Sequence, residues 1–137
     1  MKWFDLSRTI VLPAHCDSYG HMNVRNYAAF FDDAGWHMLA MAGISLAEVR
    51  RRGLGTVMAS LTIEFHHEIA AGQLALVRGA YTRVGTKSFS YELRLYECDS
   101  MTHCATEKAV EVCFDTQARK GVALPEDLKA KLTAVTS

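Results

Sequence analysis

The polar residues that could take part in catalysis lie in one short stretch, between a predicted strand and a predicted helix. Residues 15–27 read His-Cys-Asp-Ser-Tyr-Gly-His-Met-Asn-Val-Arg-Asn-Tyr and follow an apolar run that ends at Pro13. They include a carboxylate, Asp17, and an imidazole, His21, shortly before a long helical pattern begins. The N-terminus of a helix offers free backbone N–H groups and a partial positive charge, which can stabilise a developing oxyanion. A carboxylate beside it can attack an electrophilic carbon or activate a water molecule.

The hydrophobic pattern on either side predicts the elements that position this stretch. Residues 7–14 are rich in β-branched and apolar types, which predicts a strand. Asn23 is placed to cap a helix whose apolar residues recur at helical spacing and which ends at Gly43. Because this helix is apolar on most sides, we expect it to be buried on most sides.

The rest of the chain predicts an antiparallel sheet. Residues 45–48 form a capping-box signature for a short helix that ends at Gly53. Strands with alternating polarity follow at 56–69, 74–84, 88–97 and 104–114, and a last helix begins at Pro125 and ends near Leu132. Consecutive strands joined by short turns are antiparallel, and a single long apolar helix must pack on one face of them. We predict an α+β hotdog fold, a sheet of about five strands curled around one long central helix, in one domain spanning residues 1–137.

The composition argues against several classes of protein. Half of the 137 residues are hydrophobic (50%), so the chain can bury a substantial core. Lys+Arg and Asp+Glu both number 15, so no overall field attracts nucleic acid. The most apolar segment is interrupted by Asp32, Asp33 and His37, and we expect neither a membrane span nor a secretory signal. The four cysteines form no C-x-x-C pair, which favours reduced thiols and a cytoplasmic location.

The motif Asp-x-x-Gly-His-x-Asn-x-x-x-Tyr, which begins at Asp17, resembles the signature of hotdog-fold acyl-CoA thioesterases of the 4-hydroxybenzoyl-CoA thioesterase type. The resemblance covers nearly the whole chain. It implies hydrolysis of an acyl-CoA thioester to a free acid and CoA, with Asp17 as nucleophile or general base and the backbone N–H of Val24 as oxyanion donor. It also implies an active site shared between two protomers, in a homodimer or a dimer-of-dimers tetramer. No metal or redox cofactor is expected, since CoA enters as part of the substrate.

The other residues of the motif divide between chemical and structural roles. His21 either orients water or the thioester carbonyl, or fixes the loop by hydrogen bonds. Asn23 either positions water or caps the helix, and the cap is favoured. Tyr27 is expected to pack and to line the substrate pocket, with Tyr19 as a further lining candidate.

The hairpin at residues 85–86 carries the leading candidates for binding the nucleotide part of CoA, Lys87 and Ser88. Relatives carry basic residues at this hairpin, whereas here only Lys87 remains. A solvated turn lysine is the alternative. Arg83 and the arginines at 50–52 are secondary candidates from a neighbouring subunit.

Two positions depart from the family pattern. His15 stands where relatives often have a second acidic residue, and Val24 stands where many have a second Asn. A backbone donor does not depend on the Val24 side chain, whereas the change at His15 could alter the pKa of Asp17 or the shape of the acyl pocket. A metal site is not expected at His66 and His67, because adjacent strand residues point to opposite faces.

Two other functions remain open. A hotdog enoyl-CoA hydratase needs a paired Asp and His, but the Gly-His-x-Asn context of His21 fits thioesterases better. A non-catalytic acyl-CoA-binding module would keep the fold, and the presence of Asp17 argues against it. The acyl group stays open among aromatic, short and cationic groups, because nearby aromatic residues could line a pocket or belong to the core. These residues are Tyr19, Tyr27, Phe30, Phe31 and Trp36.

Overall fold

The computed structural model describes residues 1–136, which form one sheet flanked by helices. Strand β1 (Phe4–Ile10) leads through a 3-10 turn (Pro13–His15) into helix α1 (Val24–Gly35). Two short helices follow, α2 (Met38–Met41) and α3 (Leu46–Arg51). The remaining elements are β2 (Leu54–Phe65), β3 (Leu74–Val84), β4 (Ser88–Glu97), β5 (His103–Asp115), β6 (Lys120–Gly121) and α4 (Glu126–Ala134).

The strands form an antiparallel sheet in the order β1-β3-β4-β5-β2, and β6 pairs with β5. β1 and β2 therefore lie at the two edges. Short connections join β3, β4 and β5 in sequence, whereas β2 and β1 are brought to the edges by longer connections. This curled sheet with its helix is the α+β arrangement predicted from the sequence, with a sixth short strand added.

The core lies between α1 and the sheet. On α1 the buried side chains recur every three or four residues, as an amphipathic helix requires. They are Tyr27, Phe30, Phe31 and Ala34. On β4 the inward face is equally apolar, with Phe89, Tyr91, Leu93 and Leu95 each no more than 2% exposed. These two apolar faces fix the distance and angle at which α1 lies on the sheet.

Close packing explains one glycine of the sheet. A Cβ built at Gly79 would lie 2.7 Å from Leu93 Cδ2, 2.7 Å from Met38 Sδ and 2.8 Å from Leu6 Cδ1. Since real Cβ atoms do not approach other atoms so closely, only glycine lets β3 pack at this point against its neighbours.

The predicted long helix is broken. α1 ends at Gly35, Trp36 is its C-cap and α2 begins at Met38, so the expected single helix up to Gly43 was wrong. Glycine in a helix interior is unfavourable, and a Cβ at Gly35 would lie 3.3 Å from the Tyr91 hydroxyl. Trp36 is 58% exposed at the break.

Two predicted strand boundaries also shift. β1 occupies residues 4–10 rather than 7–14, because Pro13 opens the 3-10 turn instead of ending the strand. β2 ends at Phe65 rather than at residue 69. The backbone N–H groups of His66 and His67 both donate to the carbonyl oxygen of Cys104 (2.8 and 3.1 Å), which ends the regular ladder.

The edge strand β2 exposes several large apolar side chains. Val57, Met58, Leu61 and Phe65 are between 39% and 49% exposed. An apolar edge with unpaired backbone groups is a surface on which another strand can pair. No helix within residues 1–136 has the length and apolar content that crossing a membrane requires.

Candidate active site

A tight turn presents the Asp17 carboxylate just before α1. The Asp17 N–H donates to the His21 carbonyl (3.1 Å), and the Gly20 N–H donates to the Asp17 carbonyl (3.0 Å). Gly20 has a φ of +89°, a conformation that glycine adopts without penalty. The N–H of Tyr19 donates to Asp17 Oδ1 (2.8 Å). One carboxylate oxygen is thereby fixed, while Oδ2 has no hydrogen-bond partner within residues 1–136.

His15 holds this loop in place by backbone and side-chain hydrogen bonds. Its carbonyl oxygen accepts from the Asn23 N–H (2.9 Å) and from Asn26 Nδ2 (2.8 Å). Its Nδ1 accepts from the Leu12 N–H (2.9 Å), and its ring meets Phe30 edge-on with centroids 5.0 Å apart. The histidine that departs from the family pattern is thus part of the framework that sets the position of Asp17.

The N-terminus of α1 leaves one backbone donor free. Asn23 is the N-cap, and its Oδ1 accepts from the Arg25 N–H (3.0 Å). Its carbonyl oxygen accepts from the N–H groups of Asn26 (3.0 Å) and Tyr27 (3.3 Å). The Val24 N–H has no partner among the described residues and remains available to a ligand oxygen, in the positive field of the helix end.

A cavity of about 360 Å³ opens in front of this helix end. Five of the residues singled out in the sequence line it together: Asp17, His21, Asn23, Val24 and Tyr27. Burial raises the pKa of Tyr27 to about 12, so its phenol stays neutral. The Tyr27 ring packs edge-on against Phe65, with centroids 5.1 Å apart, and the two rings form the apolar wall.

Three sequence candidates lie outside this cavity. Tyr19 is 84% exposed and stacks on His21 with ring centroids 6.3 Å apart, but it does not line the space in front of Val24. Lys87 and Ser88 lie at the β3–β4 hairpin, where Ser88 Oγ accepts from Arg83 Nη2 (2.9 Å). Their role in binding CoA stays a prediction.

The end of β2 supplies polar residues that the sequence reasoning missed. His66, His67 and Glu68 all line the cavity. His66 and His67 were expected on opposite faces of a strand, which is wrong because β2 has already ended at Phe65. A His-His-Glu run directly after an apolar strand was the available signal.

Each of these residues has a close polar contact within the chain, and that of Glu68 is with the Asp17 loop. Glu68 Oε2 lies 3.5 Å from His21 Nε2, and His67 Nδ1 lies 2.7 Å from the Glu68 carbonyl oxygen. His66 Nε2 lies 3.0 Å from Thr106 Oγ1. Within residues 1–136 no three His, Cys, Asp or Glu side chains are grouped so that they could hold a metal ion.

The family match decides what kind of protein carries this site. The model of the thioesterase-like superfamily matches residues 11–132, which include the Asp17 loop, α1 and β2 to β5. The chain belongs to this family. Membership of the thioesterase-like superfamily confirms the predicted enzyme class, a thioester hydrolase.

Three solved structures, two of them of thioesterases, share the fold of this thioesterase-like chain. The 1,4-dihydroxy-2-naphthoyl-CoA thioesterase Slr0204 from Synechocystis is 19% identical, with a TM-score of 0.80 and 96% of both chains covered. The DHNA-CoA thioesterase from Staphylococcus aureus is 16% identical, with a TM-score of 0.85 over 98% of this chain and 93% of that one. The S. aureus protein SAV2348, solved in complex with CoA, is 18% identical, with a TM-score of 0.86 over 100% and 89%. These likenesses confirm the hotdog fold.

Proposed function

We propose that this thioesterase-like protein hydrolyses acyl-CoA thioesters at the N-terminus of α1. The observation that carries the proposal is that one cavity is lined by the Asp17 carboxylate and by Val24, whose backbone N–H is free among the described residues. A CoA-bound structure with the same fold supports the choice of a CoA thioester as substrate.

The chemistry requires little beyond these two groups. The thioester carbonyl oxygen accepts from the Val24 N–H, which stabilises the negative charge that forms on this oxygen in the tetrahedral intermediate. One such donor contributes roughly 3–4 kcal/mol to lowering the barrier. The CoA thiolate leaves readily because a thiol has a pKa of about 8.5, so no strong general acid is needed.

Asp17 completes the reaction by one of two routes. As a nucleophile it attacks the carbonyl carbon, expels the thiolate and forms a mixed anhydride, which water then hydrolyses to the free acid. As a general base it takes a proton from a water molecule that attacks the same carbon. His21 lines the same cavity, 3.5 Å from Glu68, and in both routes it would orient the water or the thioester carbonyl.

The exposed edge of β2 supports a homodimer. Antiparallel pairing of β2 with its own copy would satisfy the unpaired backbone groups and cover Val57, Met58, Leu61 and Phe65. Phe65 also lines the Asp17 cavity, so such a dimer brings the partner subunit next to the site. Two dimers could then form a tetramer, and Lys87 and Ser88 remain the candidates for contacting the CoA nucleotide. A cytoplasmic location stays a prediction.

Free-thiol release from a panel of acyl-CoAs tests the function. We expect the native protein to hydrolyse at least one class of acyl group, and Asp17→Asn to reduce kcat at least a hundredfold, as the loss of a general base or nucleophile should. Asp33→Asn is the matched control, because Asp33 is exposed on α1 and does not line the cavity.

The same assay separates the other functions. Consumption of an enoyl-CoA double bond without thiol release would indicate a hydratase. Tight binding of acyl-CoA with no turnover of any thioester would indicate a binding module, and turnover that survives Asp17→Asn would move the chemistry to another residue.

A further inference from the structure

A second cavity lies further along α1, between this helix and the β2 side of the sheet. Its volume is about 120 Å³. Phe31 and Asp32 line it from the helix, and Tyr91, Glu107 and Glu111 line it from the sheet. A cavity of ~150 Å³ is enough to take up benzene, so this one has room for a single small group.

The second cavity lies further along α1 than the Asp17 cavity, and the two share no lining residue. On α1, Tyr27 lines the first cavity and Phe31 the second, and four residues of helix span about 6 Å. In the sheet, Phe65 pairs with Ala105, and Glu107 lies two residues further along β5, about 7 Å away. Val24, whose N–H would hold the thioester, lies seven residues before Phe31, which is about 10 Å along the helix. The far end of an acyl group of about that length, extended along α1, would lie near Glu107.

Negative charge dominates the second cavity. Glu107 is only 3% exposed, and its carboxylate has neither a hydrogen bond nor an ion pair with any residue in 1–136. Glu111 accepts hydrogen bonds from Thr56 Oγ1 (2.8 Å) and from the Tyr91 hydroxyl. No described residue that lines the cavity is basic. A largely buried carboxylate without a partner is costly, and a cation that binds beside it lowers this cost.

The rest of the wall is aromatic. Phe31, Trp36, Phe89 and Tyr91 line the same cavity, and Trp36 is exposed at its entrance. Aromatic faces attract cations, and cages of such rings are the usual means of binding quaternary ammonium groups. Carboxylates and aromatic rings around one small space therefore fit an ammonium group better than a carboxylate, a hydroxyl or a hydrocarbon group.

We propose that the cavity between Asp32, Glu107 and Glu111 receives the positively charged end of an ammonium-bearing acyl group. This inference rests on the proposed hydrolysis of acyl-CoA at Asp17 and specifies its substrate class. Glu107 supplies the uncompensated charge, Glu111 is held by Thr56 and Tyr91, and the rings exclude water from the bound cation.

Pairs of isosteric thioesters test the inference without any mutation. 4-(Trimethylammonio)butanoyl-CoA is compared with 5,5-dimethylhexanoyl-CoA, and 8-(trimethylammonio)octanoyl-CoA with 9,9-dimethyldecanoyl-CoA, so that each pair differs only by nitrogen in place of carbon. The two lengths measure how far the cavity lies from the thioester. We expect kcat/KM to favour the cationic member of at least one pair by tenfold or more.

The variant Glu107→Gln links this preference to the cavity, because it removes the charge and keeps the shape. The cationic-to-neutral ratio of kcat/KM should fall at least tenfold, while Glu126→Gln, a change of an exposed glutamate on α4 outside both cavities, should leave the ratio as it is. Equal or higher kcat/KM for the neutral members in the native protein overturns the inference, as does a ratio that survives Glu107→Gln. Hydrolysis of neutral thioesters alone would reject the cationic substrate but keep the proposed function, whereas the absence of all thiol release would reject both.

Discussion

Removing the charge of Glu107 should stabilise the folded protein at alkaline pH. Glu107 is 3% exposed and unpaired among the described residues, and Asp32 on α1 and Glu111 on β5 face it with like charge. Burial, followed by repulsion from Asp32 and Glu111, raises its pKa from 4.5 to about 7. Its ionised form is thus less favourable in the folded chain than in the unfolded one.

The sign and size of the effect follow from proton linkage. Between pH 4.5 and 7 the folded protein binds this proton more tightly than the unfolded chain, so the free energy of unfolding falls as pH rises. The shift from 4.5 to about 7 corresponds to about 3 kcal/mol at ~1.4 kcal/mol per pKa unit. The loss is complete above pH 7 and absent well below pH 4.5.

Urea unfolding at pH 4, 6 and 8 measures this difference. The quantity of interest is the free energy of unfolding of Glu107→Gln minus that of the native protein. This difference should be larger at pH 8 than at pH 4 by up to about 3 kcal/mol. Glu126→Gln should show no such pH-dependent gain, since Glu126 is exposed on α4. A Glu107→Gln protein that is no more stable than the native one at pH 8 would refute the presence of an uncompensated buried charge.

Three further changes test the packing, the dimer and a helix cap. Gly79→Ala should lower the free energy of unfolding in urea by about 1–3 kcal/mol, because the new Cβ would overlap three side chains. Gly55→Ala, whose Cβ would have no neighbour nearer than 3.8 Å, should change the stability little. Equal effects of the two changes would contradict the packing argument. Leu61→Lys should shift the sedimenting species from dimer to monomer, because it places like charges at the β2 edge. Leu74→Lys, at a similarly exposed position on β3, should leave the dimer intact. A dimer that persists in Leu61→Lys argues for a different interface. Ser45→Ala should cost ~1 kcal/mol because Ser45 Oγ accepts from the Glu48 N–H (3.2 Å), and an unchanged unfolding midpoint would show that this cap is unimportant.

The sheet was largely predictable because its signals are local. β3 and β4 run from Leu74 to Val84 and from Ser88 to Glu97, as their alternation and the hairpin between them predicted. The break after Gly35 was missed because the apolar residues continue at helical spacing through Met38 and Met41, although the glycine itself was visible in the sequence. The two residues of β6 are too few to show any alternation.

The candidate site was predictable where it is contiguous in sequence. Asp17, His21 and Val24 belong to one loop and the helix that follows it, so their spacing alone brings them to one cavity. His66 and Glu68 reach the same cavity through tertiary contacts, such as the bridge between His21 and Ala70.

The acidic cavity depends on both local pattern and tertiary packing. Glu107 and Glu111 alternate with the buried Ala105 and Ala109 on the inward face of β5, a pattern that was readable in the sequence. The position of these two glutamates beside Asp32 becomes evident only once α1 is placed on the sheet.

The most direct test of oxyanion stabilisation by α1 is a comparison of Val24→Pro with Val24→Ala. Val24 is the first helical residue, where proline is tolerated, and Asn23 before it is already extended (φ −79°, ψ 151°). Proline removes the free N–H and should keep the helix, whereas alanine changes only the exposed side chain. We expect kcat for thioester hydrolysis to fall about 10²–10³-fold in Val24→Pro and to stay near the native value in Val24→Ala, with the same circular dichroism in both. Equal kcat in the two folded variants would contradict stabilisation of the oxyanion by the Val24 N–H.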